Sequence, residues 1–103
     1  MEAKELNISK PYQLSCEVVS VSEERVFETS NMATNKAREL TVKVANGKVN
    51  EFFSIDFYNN KTNLLHGLKE GQKVIVVLRL KGRLSNKMPQ KAFNGLEGEA
   101  VYP

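Results

Sequence analysis

The stretch from Arg38 to Tyr58, RELTVKVANGKVNEFFSIDFY, decides the fold. Leu40, Val42 and Val44 alternate with Thr41, Lys43 and Ala45. Asn46-Gly47 then supplies a turn, and Phe53, Ile55 and Phe57 alternate with Phe52, Ser54, Asp56 and Tyr58. A period of two sends one set of side chains inward and the other outward. Asn-Gly favours a type I′ turn, because both of its central residues need positive φ. The segment is therefore expected to form a β-hairpin. Phe53, Ile55 and Phe57 are the better inward set, since the opposite set holds Asp56 and Ser54. Two rings, Phe52 and Tyr58, are left on a polar outward face beside Lys43. They call for an explanation.

Upstream of the hairpin, residues 14–27, LSCEVVSVSEERVF, carry another β pattern. Leu14, Cys16 and Val18 share a face, and the Val18-Val19 doublet shifts the phase, as a β-bulge does where a strand curls round a small barrel. Residues 28–37 are polar and read as a loop, and residues 1–11 as a flexible leader that Pro11 closes. Downstream, NKTNLLHGLKEG has Leu64, Leu65 and Leu68 at helical spacing. Asn60 or Thr62 would cap the start and Gly67 or Gly71 the end, so a short helix of two to three turns is expected. Lys73–Leu84 reads as a strand, residues 85–90 as a loop, and residues 91–102 as a last strand bent at Gly95 and Gly98. The order is β-β-β-α-β-β, in one domain over residues 12–103.

At 103 residues the chain suits one domain with its own core. No run approaches the roughly 20 apolar residues that span a bilayer, and the N-terminus lacks the basic-then-apolar design of a signal peptide. A single cysteine, Cys16, permits no internal disulfide. A cytoplasmic location follows as the expectation, with Cys16 a small buried apolar residue. The net charge is +3, unevenly spread. Arg79, Lys81, Arg83, Lys87 and Lys91 follow one another without an intervening acid, which suits a polyanion.

Strand order and the helix position match the OB-fold, an all-β, five-stranded Greek-key barrel with one short helix between strands three and four. Residues 51–84, EFFSIDFYNNKTNLLHGLKEGQKVIVVLRLKGRL, resemble the core of bacterial and phage single-stranded DNA-binding proteins. Glu51-Phe52 falls where that family has Glu-Trp, and Tyr58 where it has a stacking Phe. Glu70-Gly71 and Val74 take the Lys-Gly and Val places, and Leu80, Lys81 and Arg83 the Leu, Arg and Arg places. The family's strand-one glycine has no counterpart near Glu17–Ser20, and no tryptophan is present. The sequence ends at Tyr102-Pro103 without the acidic tail by which the bacterial housekeeping members recruit other enzymes. The resemblance then implies a short form, an accessory, phage or mobile-element version, acting in replication or recombination as a homo-oligomer (dimer or tetramer).

The chemistry fits the residues. Sequence-tolerant binding of an unpaired strand combines aromatic platforms, worth roughly 1–3 kcal/mol per stacked base, with cations along the phosphates. Phe52 and Tyr58 lie six residues apart on one face, roughly 20 Å at about 3.3 Å per residue, enough for two bases. Lys43, Arg38, Lys81, Arg83, Lys87 and Lys91 are the expected phosphate contacts, which add affinity without reading sequence. Asp56 opposes that path. Phe93 is read first as core and second as a third platform, and His66 as a surface residue. Neither a metal-ligand cluster, a nucleophile with its base, nor a phosphate-cradling glycine loop is present, so no cofactor and no enzyme are expected. The rival readings are an OB-fold module that docks a partner protein, and binding of single-stranded RNA.

Overall fold

The computed structural model describes residues 11–28, 34–84 and 91–103, with the backbone alone given for Arg83 and Phe93. Most of the expected leader, the loop 85–90 with Lys87, and residues 29–33 lie outside the described residues. Among the described residues six strands occur: β1 Tyr12–Val21, β2 Arg25–Glu28, β3 Thr34–Asn46, β4 Val49–Tyr58, β5 Lys73–Leu84 and β6 Ala92–Tyr102. A 3-10 helix, Asn59–Leu65, follows β4. Antiparallel pairing joins β3 to β4, β3 to β1, β1 to β5 and β5 to β6. A short parallel pairing of β4 with β6, Ile55 beside Leu96 and Asp56 beside Glu97, closes the ring. The result is a closed five-stranded barrel of the expected topology, with β2 added at the edge of β3. No helix among the described residues is long and apolar enough to cross a membrane.

The expected long first strand is two. Val21 pairs with Leu40 and Arg25 with Ala37, so Ser22, Glu23 and Glu24 face Glu39 and Arg38 across the pair. That surplus residue bends the chain and makes β2 a separate strand. Its partner is Thr34–Ala37, so the last part of the expected 28–37 loop is strand. The bulge at the valine doublet is present: Val18 pairs with Val42 and Ser20 with Thr41, leaving Val19 as the extra residue.

The hairpin keeps its inward set but not its turn. Asn46 pairs with Val49, so Gly47 and Lys48 are the central residues. Gly47 has φ +64, while Asn46 and Lys48 have negative φ. Positive φ at the first central residue alone is the type II′ pattern, not I′. Asn59 opens the helix in the left-handed region, φ 53, which asparagine visits more readily than most residues. Here Asn59 Oδ1 accepts from the Lys36 backbone N–H at 3.0 Å. The helix is tighter than an α-helix, and its 7 residues make between two and three turns, as expected. Neither Asn60 nor Thr62 caps it, because Tyr58 holds the cap position without a side-chain bond. Extended His66 and Gly67 at φ +83 end it.

The core is Val18, Leu40, Val42, Ile55, Phe57, Leu65, Val74, Val76 and Leu78, with Cys16 at its edge. Burial pushes the Cys16 thiol pKa up, so it stays protonated as a small apolar group. Thr62 is the one buried polar side chain among the described residues, and its hydroxyl donates to the Asn59 carbonyl at 2.7 Å. Leu65 and Leu68 pack against the barrel as their spacing implies, while Leu64 is exposed. Gly98 has a steric role: a Cβ there would sit 2.1 Å from the Phe57 ring. The ring fills the space that a side chain on β6 would occupy.

Candidate nucleic-acid interface

The outward residues of β4 are Phe52, Ser54, Asp56 and Tyr58, and opposite them on β3 lie Lys43, Thr41, Glu39 and Ala37. Both rings are thus on the outer wall, as the alternation requires. Phe52 sits near the turn and is 60% exposed. Lys43 stands across from it, half-exposed, with its ammonium 3.6 Å from a carboxylate oxygen of Glu17 on β1.

Tyr58 is half-buried and is held by a long-range contact. The Lys81 ammonium lies over its ring, 4.5 Å from the centroid, a cation–π arrangement. The same ammonium donates to Asp56 Oδ2 at 3.0 Å and to the Tyr58 hydroxyl, which itself donates to Asp56 at 3.4 Å. Lys81 is on β5 and the tyrosine on β4, with β6 between them. The lysine crosses because its partner on β6 is Gly95, whose missing Cβ would stand 2.8 Å from Lys81 Cε. Desolvation pulls the Lys81 pKa down, but the bonds to Tyr58 and Asp56 outweigh it and leave the ammonium above its ordinary value.

A second set of ion pairs continues along the same wall. Arg79 on β5 bonds Glu97 at 3.0 Å and Glu99 at 3.3 Å on β6. Glu99 also accepts from Lys61 of the 3-10 helix at 3.0 Å. That hydrogen bond from Lys61, reinforced by the charges of Lys61 and Arg79, holds the Glu99 carboxyl below its ordinary range against a smaller desolvation effect.

The structure thus brings Phe52, Lys43, Tyr58 and Lys81 onto one wall. It does not bring Arg38 there. Arg38 is paired with Phe57, on the side opposite to Tyr58, and its Nε donates to the Ser22 carbonyl at 3.0 Å. Its parity with Leu40 and Val42 in the sequence already carried that signal. Lys91 is exposed at the start of β6, Arg83 lies on β5 with its side chain outside the description, and Lys87 lies outside the described residues. Phe93 pairs with Arg83 on the β5–β6 arm. Sequence reading missed Lys61, Gly95, Glu97 and Glu99; the spacing Arg79-x-Lys81 against Glu97-x-Glu99 was the available signal. A shallow groove of about 530 Å³ adjoins this wall at Lys43 and runs beside β1 between Glu17, Asn50 and Lys73.

No family profile and no curated protein sequence matches this chain. Solved structures do. The mitochondrial single-stranded DNA-binding protein Rim1 of S. cerevisiae superposes with a TM-score of 0.64 at 13% identity, over 90% of this chain and 92% of that one. The second OB-fold domain of replication protein A from Methanococcus maripaludis gives 0.63 at 14%, over 98% and 90%. The SSB domain of a Synechococcus protein gives 0.62 at 12%, over 91% and 94%. The barrel is an OB-fold. At these identities the likeness fixes the OB-fold and nothing finer.

Proposed function

We propose that this OB-fold protein binds single-stranded DNA with little sequence preference, in replication or recombination, across the outer wall of β3 and β4. The observation that carries the reading is Phe52, a large ring more than half exposed on a strand, with Lys43 as its register partner on β3 and the Tyr58–Lys81 pair further along. An isolated exposed ring needs no function, but two rings with cations in register supply both parts of a sequence-tolerant platform. The similarity to single-stranded DNA-binding structures supports the same ligand. Lys91, Arg83 and Lys87 belong to the same reading as further phosphate contacts, whereas Arg38 bonds the Ser22 carbonyl away from that wall.

A homo-oligomer belongs to the same reading. Ile75 and Tyr102 are register partners on β5 and β6, and both are exposed. An apolar pair of this kind is a surface that a second copy would cover. Tyr102→Glu should then lower the mass measured by light scattering to that of a single chain.

Titration of fluorescent oligo-dT, oligo-U and duplex DNA at two salt concentrations tests the function. Expected are micromolar or tighter binding to the unpaired strand, weaker binding to duplex, and loss of affinity as salt rises. Tighter binding of oligo-U would move the ligand to RNA. Salt-insensitive behaviour with no oligonucleotide bound would leave the wall as a protein-docking surface.

A further inference from the structure

The cations of the β4–β5–β6 wall are not free for phosphates. Lys81 is held by Asp56, Arg79 by Glu97 and Glu99, and Lys61 by Glu99, at 3.0 to 3.3 Å. Asp56 and Glu97 are neighbours across the parallel β4–β6 pairing, so the three carboxylates form one acidic row through the middle of the cationic field. Stability accounts for the row only in small part. Each pair is part-exposed, with side-chain exposures between 22% and 41%, and such pairs contribute little to folding. Three carboxylates on a wall meant for a polyanion therefore need another reason.

We propose that Asp56, Glu97 and Glu99 are specificity-determining residues of the nucleic-acid face: by occupying Lys81, Arg79 and Lys61 they cancel its attraction for polyanions in general. The inference rests on the single-strand reading above. Phosphate attraction is the source of non-specific binding and grows with charge density, which is higher in duplex than in a single strand. Stacking on Phe52 and Tyr58 needs a base whose face is open, and duplex offers none along its length. A wall with its charge cancelled therefore selects by stacking. When a phosphate does take one of these cations, the freed carboxylate must gather a counterion, so little net counterion release accompanies the exchange. The salt dependence of binding is correspondingly shallow.

The test is the triple variant Asp56→Asn, Glu97→Gln, Glu99→Gln, with Glu97→Gln alone as the milder change and Glu70→Gln as a charge control on an exposed turn. Each is titrated with oligo-dT, duplex DNA and heparin over a salt series, and its folding is checked by thermal unfolding. The expected result is that the triple variant gains about tenfold or more for duplex and heparin and less for oligo-dT, so discrimination falls. Its slope of log affinity against log salt should steepen by about 0.7 for each phosphate newly met by a single strand. If the triple variant unfolds, Glu97→Gln carries the test, with a smaller gain in the same order. Wild-type binding to oligo-dT with unchanged duplex and heparin affinity in the variants overturns this proposal and leaves the function standing. A gain from Glu70→Gln equal to that from Glu97→Gln, which changes the charge by the same amount, overturns it too, since general net charge would then be the cause. If neither wild type nor variants bind oligo-dT at any salt, the single-strand reading fails and the proposal goes with it.

Discussion

The two faces of β4 differ in what each fixes. The inner face, Phe53, Ile55 and Phe57, meets Leu40 and Val42 of β3 and the missing side chain of Gly98, with Ile55 and Phe57 wholly out of solvent. The outer face, Phe52, Ser54, Asp56 and Tyr58, reaches β5 through part-exposed polar groups, Asp56 and Tyr58 both bonding Lys81. Close packing tolerates almost no change of volume, whereas part-exposed ion pairs exchange partners at little cost. One strand therefore carries the barrel on one side and, on the other, the replaceable surface proposed for recognition. Substitutions on the two sides should separate stability from affinity.

Gly98→Ala should give the largest effect and fall on the inner face. The added methyl would lie 2.1 Å from a ring that is itself fully buried. Overpacking of this kind costs about 3 kcal/mol, which for a domain of this size lowers the melting temperature by roughly 10–20 °C. Gly98→Ala combined with Phe57→Leu should recover part of the loss, because the two positions share one space and their effects do not add. Equal melting points for wild type and Gly98→Ala would mean that the inner face is not packed as described.

Phe52→Ala should do the reverse. At 60% exposure, the ring contributes little to folding, and stability should stay within about 0.5 kcal/mol. Oligo-dT affinity should fall by roughly tenfold, since a lost stacked base is worth about 1–3 kcal/mol. Tyr58→Ala should weaken binding as well, with a larger effect on stability because it also removes the ring beneath the Lys81 ammonium and a hydroxyl bonded to Lys81 and Asp56. Unchanged affinity in both variants would sink the stacking assignment.

Much of the fold was legible in the sequence because it is written in local alternation. The inward set of β4, the bounds Lys73–Leu84 and the extra residue at the Val18-Val19 doublet all follow from period two and its interruption. The turn was not legible: with Gly47 available to either two-residue loop, the pairing of Asn46 with Val49 decides it, and that is a property of the whole β3–β4 ladder. Leucine spacing at Leu64, Leu65 and Leu68 fits an α-helix, and only tertiary packing, which buries Thr62 and exposes Leu64, makes the segment a 3-10 turn. Of the interface, the two rings were visible as misplaced apolar residues. The ion pairs were not, because Asp56–Lys81 and Lys61–Glu99 join residues 25 and 38 positions apart. Sequence gives the charges, and strand register decides which of them meet.

The smallest effect concerns pH and sharpens the account of the outer face. The Glu99 carboxyl is held below its ordinary 4.5, so its ionised form is favoured by folding. Its contribution is present above the unfolded value and is lost as pH falls through the lower folded value. Lys81 is shifted the other way, above its ordinary 10.5, so its contribution is present below that value and fades as pH rises through the folded one. Wild type should therefore be more stable than Glu99→Gln by at most a few degrees at pH 6, and the difference should shrink as the pH is lowered past 4.5. For Lys81→Met the difference from wild type should persist at pH 8 and shrink only in strong alkali. Core packing has no such dependence, so Gly98→Ala should stay below wild type by a similar margin from pH 5 to 8. A Glu99→Gln difference that did not vary with pH would place that carboxylate outside the ion-pair row, where its charge could cancel neither Arg79 nor Lys61.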